Sequence, residues 1–149
     1  MAAGVMGLAA DHAAFELKGE LTAWLKARGW TVRDFGTHSP EAVDYPDVVL
    51  PCARALAAGE LQGAVVACGS GIGAAICANK VPGVRAALCL EPEQAALARR
   101  HNNADCLVLA GRLRSTAQNI ALLEAWLTAS FEGGRHERRV RKIHQATRC

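Results

Sequence analysis

The run Gly63-Ala64-Val65-Val66-Ala67 carries no polar side chain and passes directly into Cys68-Gly69-Ser70-Gly71-Ile72-Gly73. A strand that is apolar on both faces must be covered on both, as an inner strand of a parallel sheet between two helical layers is. The glycine loop then turns the chain into a helix over 72–80. At that helix N-terminus the backbone N–H groups converge, and the peptide dipoles favour an anion. This one segment therefore asks for a layered α/β fold with a ligand loop at the end of an inner strand.

The rest of the chain repeats the pattern. Residues 4–10 read as a short apolar strand, followed by a helix in which Leu17, Leu21, Trp24 and Leu25 share a face and which stops at Gly29. Residues 30–35 alternate apolar and polar, the mark of a strand nearer the sheet edge. Residues 36–46 form a loop and 47–58 a helix closed by Gly59. Residues 84–90 read as another buried strand, Pro92 opens a helix over 93–100, and 105–110 form a fifth strand. Ser115 suits the N-cap of a helix to Ser130, and Gly133-Gly134 separate it from a basic helix over about 134–147. Alternation at this spacing predicts βαβ units: one domain over 1–149, a three-layer α/β/α Rossmann-like sandwich with a parallel sheet of about five strands.

With 149 residues the chain has the size of one domain. No basic, then apolar, leader precedes Leu8, and no window approaches the roughly 20 apolar residues of a membrane span, so a cytoplasmic protein without membrane contact is expected. Six cysteines are scattered with no CxxC pair, which predicts free thiols and no zinc site. The net charge of +3 is concentrated near the end, in Arg135, Arg138, Arg139, Arg141, Lys142 and Arg148. That tail has no interleaved aromatic residues, which favours a phosphate-bearing small ligand or an acidic surface over nucleic acid.

In such sheets ligands bind beyond the carboxyl ends of the strands, which here collects Asp11-His12, residues 36–45, Cys68 to Gly73, Cys89 to Glu91 and Gly111-Arg112. Cys68 sits where a strand ends and a helix dipole begins, a setting that makes a thiol a usable base or nucleophile; Cys89 is the competing thiol. Asp11 either caps a helix or serves the site, and His101 either satisfies the last carbonyls of its helix or serves the site. Arg135 and Arg139 at i, i+4 share a helix face, as a phosphate clamp or as a solvated charge run. Gly69, Gly71 and Ala74 also fit a dinucleotide fingerprint with Glu91 where a ribose-binding acid would stand, which keeps a non-catalytic nucleotide- or phosphate-binding module open.

Taken together, Asp11 to Lys18, Asp34 to Thr37, Val43 to Asp47, Cys68 to Gly73, Ala78 to Gly83, Arg85 to Cys89, His101-Asn102, Gly111-Arg112 and Phe131 to His136 resemble the type B ribose-5-phosphate isomerase family, which includes allose- and galactose-6-phosphate isomerases. The resemblance spans nearly the whole chain. It implies an aldose–ketose isomerase in which Cys68 carries a proton between C2 and C1 through a cis-enediolate, while Ser70 with the N–H groups of Gly69, Gly71 and Gly73 holds the oxyanion. It implies that His101, assisted by Asp11, opens the furanose, that His12, Arg112, Arg135 and Arg139 bind phosphate, and that Tyr45, Ile72 and Asn102 contact substrate. It further implies a homodimer or homotetramer, tail arginines reaching into a neighbouring subunit, and no metal or organic cofactor. Ser70 stands where threonine is frequent, and Ala14 and Ala74 depart from the family's usual residues, which leaves a six-carbon sugar phosphate as the alternative substrate.

Overall fold

The computed structural model describes residues 1–146; Arg148 of the basic tail and Cys149 lie outside them. Five parallel strands, β1 (Val5–Ala10), β2 (Thr31–Asp34), β3 (Gly63–Cys68), β4 (Ala86–Leu88) and β5 (Cys106–Ala110), lie in the order β2-β1-β3-β5-β4. Six helices accompany them: α1 (Phe15–Lys26), α2 (Tyr45–Ala57), α3 (Ile72–Asn79), α4 (Pro92–Asn102), α5 (Thr116–Thr128) and α6 (Arg135–Ala146). None of the described helices is long and apolar enough to cross a membrane.

Two cores make the expected sandwich. On one face of the sheet Leu17, Leu21 and Leu25 of α1 pack with Leu122, Leu123 and Trp126 of α5 and Ala95 and Ala98 of α4; on the other, Val49, Cys52 and Leu56 of α2 pack with Ala74, Cys77 and Ala78 of α3. Every residue of β3 is buried, as its two-sided apolar sequence requires. α6 lies outside these layers and packs on α4, burying only His136 and Val140.

Local chemistry sets the boundaries. Ser115 caps α5 by accepting from the Gln118 N–H, while the Gln118 side chain accepts from the Ser115 N–H. α2 starts two residues earlier than the sequence predicts, because Pro46 fits the first helical turn after Asp44. The strand expected over 84–90 shrinks to three half-buried residues, because β4 is a sheet edge and not an inner strand. Its free edge is occupied by Asn79, whose Oδ1 accepts from the Ala86 N–H (2.9 Å) and whose Nδ2 donates to the Ala86 carbonyl (2.8 Å), an amide standing in for a neighbouring strand. The other edge strand is β2, as its alternating sequence predicts.

Trp126 is wholly buried and donates Nε1–H to the Ala104 carbonyl at 3.0 Å, joining α5 to the turn before β5. Trp126→Ala is expected to cost about 3–5 kcal/mol of folding stability, measured by chemical denaturation.

Candidate active site

The chain leaves β1 toward β2 on one side and returns to β3 on the other, so the carboxyl ends of β1 and β3 flank the point where strand order reverses. A cavity of about 400 Å³ opens there, lined by Asp11, Tyr45, Cys68, Gly69, Ser70, Gly73, Arg112 and Leu113. Backbone hydrogen bonds stitch its floor together. Asp11 N–H donates to the Ala67 carbonyl (3.3 Å), Gly111 N–H to Cys68 (2.9 Å) and Arg112 N–H to Gly69 (2.9 Å). Three strand ends are thus held in register with the glycine loop, and Arg112 is brought against Gly69.

Cys68 is the last residue of β3 and 5% exposed, with its side chain in the cavity wall. The competing thiols belong to the core. Burial pushes Cys52 up to about 12 and Cys89 up to about 11, which disfavours the thiolate form of both. The five described cysteines are free, as expected from their spacing.

The loop glycines are there for space. Gly71 has φ +77°, and a Cβ on it would lie 2.5 Å from Leu88 Cδ1 and 3.1 Å from the Leu109 carbonyl oxygen. A Cβ on Gly73 would lie 2.5 Å from Tyr45 Cζ, so the phenol can lie over the start of α3 only because residue 73 has no side chain. Ser70 Oγ accepts from the Ile72 N–H at 3.3 Å and remains in the cavity wall. Asp11 accepts from the Ala13 N–H at 3.0 Å, capping a short 3-10 turn (His12–Ala14), and it also lines the cavity. His12 takes the Val43 N–H on Nδ1 at 3.2 Å, which in the neutral ring puts the proton on Nε2. It lines an adjoining hollow with Asp44 and Asp47 and not the Cys68 cavity itself.

Other expected site residues lie elsewhere on the chain. Ile72 is 56% exposed and shares the outer face of α3 with Ile76, which is 57% exposed. Asn102 lines a separate cavity of about 230 Å³ with Asn79, Arg85 and Ile143. Arg135 and Arg139 stand exposed on α6. His101 is the last residue but one of α4 and, with these residues, is absent from the lining of the Cys68 cavity. Within one chain the carboxylate beside His101 is Glu132. Glu132 Oε2 lies 3.6 Å from His101 Nε2 and 3.7 Å from His136 Nε2, and the two imidazoles stack with centroids 4.2 Å apart. Both Glu132 and His136 fall in the quoted motif Phe131 to His136, but the contact across 31 residues that gives them meaning is invisible in sequence order.

The Glu91 carboxylate pairs with Arg114 at 2.8 Å, and its backbone N–H is taken by the Gln94 side chain at the start of α4. The acid of the dinucleotide fingerprint is thus engaged at a helix cap.

Comparison with known proteins places these features in one family. Residues 6–143 match the family model described as Ribose/Galactose Isomerase. A ribose-5-phosphate isomerase B of Escherichia coli is 44% identical over 133 residues, covering 89% of each chain. A D-erythrulose-4-phosphate isomerase of Pectobacterium atrosepticum is 39% identical, covering 93% of this chain and 91% of its own. Among solved structures, ribose-5-phosphate isomerase B of Clostridium thermocellum superposes with a TM-score of 0.94 at 44% identity, over 95% and 96% of the two chains. The Mycoplasma genitalium enzyme with bound ribulose-5-phosphate gives a TM-score of 0.94 at 36% identity, over 98% and 97%.

The Glu132 cluster fastens α6 to α4 and has a pH signature. Burial, together with His101 and Arg135, holds the His136 imidazole below its usual 6.5, and the hydrogen bond from Arg100 holds the Glu132 carboxyl below 4.5. Both groups bind protons more readily in the unfolded chain, so stability declines as the pH falls below 6.5 and again below 4.5. His136→Gln removes the first of these steps. Its melting temperature is expected to fall less than that of the wild type between about pH 7.5 and about pH 5.5, followed by circular dichroism.

Proposed function

The chain belongs to the Ribose/Galactose Isomerase family, and on that premise we propose that it interconverts ribose 5-phosphate and ribulose 5-phosphate in the cytoplasm, as a step of the pentose phosphate pathway. The observation that carries this reading is the cavity at the strand switch point, which the Cys68 thiol, the Ser70 and Tyr45 hydroxyls and a glycine loop line together. In the open-chain aldose, the Cys68 thiolate takes the proton from C2 as the C1 carbonyl oxygen gains charge. In the resulting cis-enediolate the O2 proton passes to O1, the Cys68 thiol returns its proton to C1, and C2 becomes the ketone. Ser70 and the N–H groups of Gly69, Gly71 and Gly73 serve that developing oxyanion at the N-terminus of α3. The step uses one base and preorganised dipoles, and calls on no metal or organic cofactor.

Apart from Arg112, which lines the Cys68 cavity, ring opening and phosphate binding fall to residues that lie outside that cavity in a single chain. We assign His101 to opening the furanose, Asn102 to substrate contact, and His12, Arg112, Arg135 and Arg139 to the phosphate, with His101, Asn102 and the two α6 arginines supplied by a second copy of the chain. Two features support a dimeric or tetrameric assembly. The functional residues fall into two separated groups, and Ile72, Ile76 and Leu113 expose apolar surface on α3 and at the rim of the cavity. Relatives of comparable identity are named for a five-carbon and a four-carbon sugar phosphate, so overall identity does not set the chain length of the substrate. Direct comparison of kcat/KM across four-, five- and six-carbon phosphates decides it.

Cys68→Ala is expected to abolish interconversion of the two pentose phosphates, a loss of at least about 10³-fold in kcat, while leaving the fold intact. Surviving activity would remove Cys68 as the base. Arg139→Ala is expected to raise KM about tenfold or more with a smaller change in kcat, and an unchanged KM would remove α6 from the phosphate site.

A further inference from the structure

We propose that Glu132, held by Arg100 and shared by the stacked His101–His136 pair, is the positioning residue of the ring-opening histidine. The inference rests on the isomerase reading above and adds to it a carboxylate outside the Cys68 cavity.

The arrangement is specific. Arg100 places both Nε and Nη2 at 2.7 Å from Glu132 Oε1, which uses one carboxylate oxygen and leaves Oε2 facing the two imidazoles. The Glu132 backbone N–H donates to the Arg100 carbonyl at 3.0 Å, so main chain and side chain together fix this glutamate to the last turn of α4, one residue from His101. His136 is buried and stacks on His101 at an interplanar angle of 6°, which removes the rotational freedom of the more exposed ring. A carboxylate on one ring nitrogen orients an imidazole, stabilises its protonated form and leaves the other nitrogen for the substrate.

A metal ion is a poorer occupant of the same three groups, although their ligand atoms lie within 4.8 Å of one another. Parallel stacked rings direct their lone pairs side by side instead of toward one point, and the guanidinium of Arg100 already satisfies the carboxylate.

The chemistry of the two sugars separates a ring-opening role from a role at the enediolate. Ribose 5-phosphate is a furanose that must open before C2 can lose its proton. Ribulose 5-phosphate cannot close a furanose, because its C5 oxygen carries the phosphate. Glu132→Gln keeps an oxygen for Arg100 and removes the charge. It is expected to melt with the wild type and to turn over ribose 5-phosphate about 10–100-fold more slowly at a KM within about twofold. Its wash-out of the C1 proton of ribulose 5-phosphate into D2O, read by NMR, is expected to match the wild type. Arg100→Ala, which leaves the carboxylate charged but unheld, is expected to show the same split at smaller size and serves if the glutamine form does not fold. Equal losses in turnover and wash-out, or no loss in either, would overturn the role of Glu132. Absence of both reactions in the wild type would instead overturn the isomerase reading.

Discussion

The pairing of β1, β3 and β5 at their carboxyl ends is the constraint on which everything else depends. Ala10 stands beside Ala67, and Cys68 beside Ala110, so the three strands finish together. The chain then leaves each of them as a loop carrying chemistry: Asp11-His12, the glycine loop, and Gly111-Arg112. Asn119, wholly buried in α5, donates its side-chain amide to the carbonyls of Ala110 and Arg114 and so clamps the third loop from below. A slip of one residue in the β3 register would turn Cys68 toward the other face of the sheet and separate it from Asp11 and Arg112.

From that frame the division of labour follows from packing. The enediolate chemistry needs a small, partly enclosed space with fixed dipoles, and the two-sided burial of β3 supplies it. On the proposed assignment the phosphate meets the exposed cations of α6, a helix that sits outside the sandwich and buries only two residues. With so little of its own surface buried, α6 is held by the Arg100–Glu132 pair, the stacked imidazoles and the contact between Arg85 and His144. The groups proposed to place His101 therefore also help to hold α6 in position, which is why acid is expected to loosen this part of the molecule early.

Much of this was legible in the sequence because it is encoded locally. The apolar run 63–67, the glycines after it, the Ser115 cap and the alternating edge strand each state their conformation in a few consecutive residues. The extent of β4 was not, because an edge strand with an asparagine amide along its free side reads like an inner one. Strand order was not legible either: β5 inserts between β3 and β4, and no local signal records that. In the site, the Cys68 loop was clear from spacing, whereas Glu132 and His136 gain their meaning only from a contact with a helix end some 30 residues earlier. The neighbours of Asp11 and His101 likewise depend on tertiary structure, and they place these two residues in different halves of the functional surface.

The central claim is that one working site combines Cys68 of one chain with His101 of another. Mixing the inactive Cys68→Ala and His101→Ala proteins under conditions that exchange subunits tests it directly. Random reassortment of dimers makes half of them mixed, and each mixed dimer holds one site with both residues intact, so activity should return to about a quarter of the wild-type value. If each site is built within a single chain, every site in the mixture lacks one residue or the other, and a mixture no more active than its two components would contradict the account.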